Sequence, residues 1–95
     1  MEDIAATPEG LTLTVQVRSP LGIHARPAAR LSREAQTFAA DIHLRTETAE
    51  ADAKSMLDIL SLAATHNTEV TLCASGEDAR EALNRLGNLI SGIEE

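Results

Sequence analysis

Leu11, Leu13, Val15 and Val17 alternate with Thr12, Thr14, Gln16 and Arg18. In an extended strand such alternation places every apolar side chain on one face and every polar one on the other. A strand built this way buries one side and leaves the other in water. Two later stretches repeat the pattern. Residues 41–45 turn Ile42 and Leu44 inward, and residues 69–74 turn Val70, Leu72 and Ala74 inward. A weaker version sets Ala49, Ala51 and Ala53 against Glu50, Asp52 and Lys54. Its small side chains and low strand propensity suit the edge of a sheet. In this register His43 points outward with the wet face. The chain therefore specifies a one-sided sheet, and a second apolar layer has to cover it.

Three helical stretches can supply that layer. The first runs from about Pro27 to Phe38, with Ala28, Leu31, Ala35, Phe38 and Ala39 forming a stripe at spacings of three and four. The second, Met56 to Ala64, is apolar nearly all round, as buried helices and partner-binding helices are. Ser55 and Asp58 read as a capping box at its start, and Asn67 suits a left-handed position after its end. Ser75 and Asp78 read as a second capping box, opening a helix whose stripe is Ala79, Ala82, Leu83, Leu86, Leu89, Ile90 and Ile93. The element order is β-α-β-β-α-β-α. The expected fold class is α+β, a two-layer open-faced sandwich of a four-stranded sheet with three helices on one face. Residues 1–10, acidic and broken by Pro8 and Gly10, read as a flexible leader, and residues 11–95 as one domain.

Composition bounds what such a domain can bind. Phe38 is the only residue of the Phe, Trp and Tyr set, so the core is aliphatic and there is no Trp or Tyr to stack on a base. Fifteen acids against eight bases give a net charge of −7, which disfavours nucleic acid and anionic membrane surfaces. Cys73 is the only cysteine, which excludes a disulfide framework within the chain. No secretory signal pattern and no apolar run of membrane-spanning length is present, so a cytoplasmic location is expected. No second ligand stands at metal-binding spacing from His24, and His43 and His66 fall on other elements, so neither a metal nor a cofactor is expected.

The chemistry concentrates in Gly22-Ile23-His24-Ala25-Arg26-Pro27. Pro20 and Gly22 turn the chain after its first strand. Pro27 suits the first turn of a helix, where its missing N–H costs nothing. His24 then lies at or before the N-cap, close to the backbone N–H groups of Ala25 and Arg26. That helix end carries roughly half a positive charge and favours anions. Arg26 adds a fixed cation with a fork of donors shaped for phosphate. Positive surroundings favour a neutral imidazole, which is a nucleophile. A phosphoryl group placed on it would be stabilised by the helix end, by up to about 2 kcal/mol. His24 is expected to be exposed.

The octapeptide Leu21-Gly22-Ile23-His24-Ala25-Arg26-Pro27-Ala28 closely resembles the phosphorylation site of the HPr family, the histidine-containing phosphocarriers of the bacterial sugar phosphotransferase system. The resemblance extends over about residues 11–90 through Lys54-Ser55-Met56-Leu57, Ser61-Leu62, Ala74-Ser75-Gly76-Glu77-Asp78 and Ala82-Leu83. It implies an antiparallel sheet of strand order 1-4-2-3. It also implies that His24 is phosphorylated on a ring nitrogen by enzyme I and passes the group to an enzyme IIA component, with Arg26 stabilising it in transfer. The chain would then be a carrier, not a turnover enzyme. The partner-binding face implied for this sequence takes in Leu21, Ile23, Arg30, Arg33, Met56, Leu57 and Leu60. Ser55 matches a serine that a dedicated kinase/phosphorylase modifies in many relatives, although Asp58 stands where those relatives carry glycine. Residues 44–51 look somewhat like the nitrogen-related paralogue, often called NPr, which serves a regulatory relay. A plain interaction domain is the alternative of a different class. A monomer is expected.

Overall fold

The alternating stretches do pair into a single sheet. In the computed structural model, which describes residues 4–92, the elements are β1 (Ala5–Thr7), β2 (Gly10–Gln16), α1 (Ala25–Ala35), β3 (Asp41–Arg45), β4 (Glu50–Asp52), α2 (Met56–Ser61), β5 (Glu69–Ser75) and α3 (Ala79–Gly92). The sheet is antiparallel throughout and has the order β1-β2-β5-β3-β4. It has five strands where four were expected. The additional strand, β1, comes from the stretch read as a leader: Ala5 pairs with Thr12, and Thr7 with Gly10. Pro8 and Gly10, read as breakers, belong to a tight hairpin, in which the Thr7 hydroxyl donates to the Gly10 carbonyl at 3.1 Å. With β1 set aside, the other four strands keep the expected order. The leader residues 1–3, and Ile93 of the last helical stripe, lie outside the described residues.

Side-chain burial follows the period-two pattern. Leu13, Val15, Ile42, Leu44, Val70, Leu72 and Ala74 are all buried on the inner face. The helices cover them with Leu31, Ile59, Leu83, Leu86 and Ile90. Each fully buried Leu or Ile contributes on the order of 1.5–3 kcal/mol. α3 lies close on β2 because residue 87 is glycine: a Cβ there would sit 2.7 Å from Leu13 Cδ2. The outer face stays polar, with Thr14 and Thr71 hydroxyls hydrogen-bonded across β2 and β5 at 2.9 Å. His43 points outward, 3.9 Å from a Glu50 carboxylate oxygen. Cys73 is half-buried on that face, and burial pushes its thiol pKa up, away from a reactive thiolate.

The helix ends differ from expectation, each for a visible reason. α1 begins at Ala25, so Pro27 is its third residue; the first intrahelical bond runs from the Ala28 N–H to the His24 carbonyl at 2.9 Å. It ends at Ala35 because the chain tightens: the Thr37 N–H reaches Glu34 and that of Phe38 reaches Ala35. Ala39 is exposed. α2 stops at Ser61, since Ala63 turns left-handed at φ 53. Asn67 is also left-handed, at φ 71, but it stands in the following loop. Neither capping box is complete. Ser55 accepts from the Asp58 N–H at 3.2 Å, whereas the Asp58 carboxylate turns to the Asp52 N–H at 3.4 Å. Asp78 does not pair with Ser75. Its two carboxylate oxygens accept the Ala39 and Ala40 N–H groups, both at 2.9 Å, and clamp the α1–β3 connection.

Candidate functional site

After β2 the chain must turn from the end of that strand into α1. Pro20 and Leu21 occupy the centre of a turn closed by the Gly22 N–H on the Ser19 carbonyl at 3.0 Å. Pro20 presets the backbone for that position. Leu21 is left at the tip, 72% exposed. Gly22 then takes φ 74, a left-handed value that suits glycine. Its backbone runs so close to Ala64 that a Cβ would overlap the Ala64 carbonyl oxygen. This turn sends Ile23 inward. Ile23, expected on the partner-facing surface, is only 5% exposed and packs in the core. Its N–H donates to the Ala64 carbonyl at 2.9 Å.

His24 follows as the N-cap of α1, with extended backbone at φ −97 and ψ −165. Its side chain makes no capping hydrogen bond to the helix. It is half-buried rather than exposed. Ala25 and Arg26 form the first turn of the helix, and both are exposed at its positive end. The first turn carries no acidic residue to compete with an incoming anion. Histidine N-cap, helix end and guanidinium thus lie within three consecutive residues.

Charge is segregated around this point. Residues 10–33 hold Arg18, Arg26, Arg30 and Arg33 and no Asp or Glu, so that stretch is +4 in a chain of net −7. All four arginines are exposed. α2 adds the apolar part. Leu57 is 78% exposed, while Met56 and Leu60 are half-buried against the core. Leu21 and Leu57 are the large apolar residues the fold leaves exposed among the described residues.

α1 and the start of α2 are tied together. Buried Ser32 donates its hydroxyl to the Lys54 carbonyl at 3.1 Å, and the Gln36 side-chain amide reaches both Ser32 Oγ and the same carbonyl at 3.1 Å. The Lys54 ammonium donates to the Phe38 carbonyl at 2.8 Å. Arg85 on α3 holds Glu34 at 3.0 Å and lowers its carboxyl pKa. Sequence reading gave Ser32, Lys54 and Ala64 no such roles, because each acts through a partner far away in the chain. His43 and His66 are exposed on other elements, β3 and the loop before β5. Among the described residues no group of three or more His, Cys, Asp or Glu could hold a metal ion. Nor is any described helix long and apolar enough to cross a membrane.

Comparison with known proteins bears on this arrangement. The family model described as "PTS HPr component phosphorylation site" matches residues 11–92. The phosphocarrier protein HPr of Lysinibacillus sphaericus is 43% identical over 75 residues, which covers 79% of this chain and 85% of that protein. The HPr-like protein Crh of Bacillus subtilis is 46% identical over 72 residues, covering 76% of this chain and 85% of Crh. A crystal structure of Crh, described as a swapped, intertwined dimer, has a TM-score of 0.71 at 41% identity and covers 85% of this chain and 93% of that one. The crystal structure of the phosphocarrier HPr from Bacillus anthracis has a TM-score of 0.80 at 38% identity, covering 83% of this chain and 94% of that one.

Proposed function

The chain belongs to the HPr family of phosphocarriers, and on that premise we propose that His24 accepts a phosphoryl group from phosphorylated enzyme I and delivers it to an enzyme IIA component of a sugar transporter. The observation that carries this reading is the placement of His24: an N-cap histidine whose side chain does not cap the helix, with Arg26 two residues on in the first turn. In transfer, a lone pair of a neutral ring nitrogen forms the new N–P bond as the bond to the donor breaks. The protein is a substrate of one transferase and a donor to the next, and completes no turnover of its own.

The helix end at Ala25 and Arg26 offers positive potential to the phosphoryl oxygens, and the Arg26 guanidinium offers donors of matching geometry. Exposed Leu21 and Leu57, with the half-buried Met56 and Leu60, form an apolar patch for docking. Arg30 and Arg33 extend it with positive charge towards acidic partner surfaces. All of these groups come from one chain, which supports action as a monomer, and the carrier chemistry needs neither metal nor cofactor. A cytoplasmic carrier fits partners of this kind.

Ser55 is best read as the cap of α2. A phosphate there would face the Asp58 carboxylate one turn on, in the same first turn that already caps through Ser55 Oγ. An HPr kinase/phosphorylase supplied with ATP is therefore expected to leave Ser55 unmodified.

A regulatory role is the second reading, favoured by the 46% identity to Crh, which one solved structure describes as a catabolite repression HPr. Two parallel incubations separate the readings, phosphoenolpyruvate with catalytic enzyme I and with the nitrogen-branch donor, each read by intact mass. Gain of one acid-labile phosphoryl group, absent in His24→Ala, supports the carrier. A gain with the nitrogen-branch donor alone moves the protein to a regulatory relay. No gain with either leaves a plain interaction domain.

A further inference from the structure

The loop that presents His24 is attached to a second loop. The Val17 N–H donates to the Thr68 carbonyl and the Asn67 N–H to the Val17 carbonyl, both at 2.9 Å. At the other end, the Ile23 N–H donates to the Ala64 carbonyl at 2.9 Å. The segment 17–23 is thus stapled at both ends to the segment 64–68. The staple nearer His24 is tight enough that residue 22 cannot carry a Cβ.

What aims the Ala64 carbonyl at Ile23 is the residue before it. Ala63 is left-handed at φ 53, a conformation in which alanine is disfavoured. It is exposed, and a cleft of about 560 Å³ lined by Arg45, Thr46, Leu62, Ala63, Ala64 and Thr68 lies beside it. Crowding from behind therefore does not force the turn. It is held by the amide of Ile23 on one side and, on the other, by the last turn of α2, where the Ala63 N–H donates to the Leu60 carbonyl at 3.1 Å. Leu60 belongs to the apolar patch, and Ile23 is the neighbour of His24. Unfavourable backbone that survives at such a junction reports a constraint from its surroundings.

We infer that the Ala63–Ala64 turn is a positioning element for His24: it fixes the height of the histidine loop against the end of α2, so that the docked patch and the ring nitrogen keep one geometry. The inference rests on the reading of His24 as the phosphoryl acceptor. Ala63 and Ala64 touch no phosphoryl group in it; they act through the Ile23 amide.

Two variants test it, with phosphoryl acceptance from enzyme I measured over a range of carrier concentrations. Gly22→Ala drives a methyl into the Ala64 carbonyl and separates the loops. Ala63→Gly keeps the turn accessible but removes its stiffness. The expected result is a fall in kcat, at least tenfold for Gly22→Ala and twofold to fivefold for Ala63→Gly, with KM for the carrier within twofold of wild type. A purely structural role gives the opposite split: a partly unfolded carrier is a diluted substrate, so KM rises and kcat stays. Circular dichroism melts establish that each variant is folded, and if Gly22→Ala is not, Ala63→Gly decides alone. Unchanged kcat in the folded variants, or a change in KM only, overturns the inference. Wild-type protein that takes no phosphoryl group at all overturns the functional reading instead, which keeps the two failures apart.

Discussion

The hydroxyl of Ser32, in the middle of α1, donates to the backbone carbonyl of Lys54, the residue immediately before the cap of α2, at 3.1 Å. This bond joins the helix that starts at His24 to the helix that carries Leu57. Ser32→Ala removes the donor but leaves the Gln36 amide on the same carbonyl, so no acceptor is stranded. A loss of about 1 kcal/mol is expected, read as a lower urea midpoint at unchanged slope. A loss several times larger would mean that the two helices separate without Ser32.

His24→Ala should abolish phosphoryl acceptance and leave the fold intact. The side chain is half-buried and makes no capping hydrogen bond to α1, so the start of that helix does not depend on it, and circular dichroism checks that the variant is folded. Intact mass after incubation with phosphoenolpyruvate and enzyme I gives the answer. Acceptance that persists in the variant would assign the phosphoryl group to another residue.

Arg26→Ala should slow transfer by about tenfold to a hundredfold if the guanidinium stabilises charge in the transition state. The residue is exposed, so the melting temperature should stay where it is. Quenched-flow transfer at saturating donor is the measurement, and an unchanged rate removes Arg26 from the mechanism.

Leu57→Glu should weaken docking without harming His24. A side chain 78% exposed contributes little to the core, whereas a charge in the patch opposes both apolar contact and acidic partner surfaces. KM for the carrier should rise with little change in kcat. Unaltered transfer at low carrier concentration would move the docking face elsewhere.

Asp78 should make stability depend on pH. The Ala39 N–H, above all, holds its carboxyl below the usual aspartate range; burial opposes this, and the Ala40 N–H and Lys54 assist. The folded protein therefore binds protons at Asp78 less readily than the unfolded chain does. The stabilisation is complete above the unfolded value of about 4 and is lost as pH falls through the lower folded value. Glu34 acts in the same direction through Arg85. Urea midpoints at pH 7 and pH 3 should converge more in Asp78→Asn than in wild type. Equal losses in the two proteins would show that the clamp on Ala39 and Ala40 carries no charge dependence.

The sheet was legible because period-two alternation is local: each inward residue of β2, β3 and β5 could be named from its neighbours. So was the octapeptide around His24. What could not be read depends on distant partners. Leu62-Ala63-Ala64 continues a helical pattern, and no glycine or proline announces the stop; the bond from Ile23 to Ala64 overrides propensity there. Ile23 follows the exposed Leu21 by two residues, and only the Gly22 turn shows that it is buried. Asp78 spaced from Ser75 looks like a cap, but its carboxylate serves a loop nearly forty residues earlier. β1 was hidden by Pro8 and Gly10, which mark a hairpin turn as readily as a loose end.

The acid-free stretch 10–33 separates charge along this chain, with four arginines in the stretch that holds His24 and a net charge of −7 overall. A partner with an acidic rim exerts a torque on such a molecule before the surfaces touch. At physiological salt that torque reaches about 8 Å, so it acts only in the last moments of an encounter. There it turns the histidine forward and shortens the search for a productive orientation. Raising the salt shortens this range and leaves the chemistry of the bound pair alone. In the proposed carrier role, the charge pattern would set how often transfer begins, and the geometry at His24 how fast it finishes.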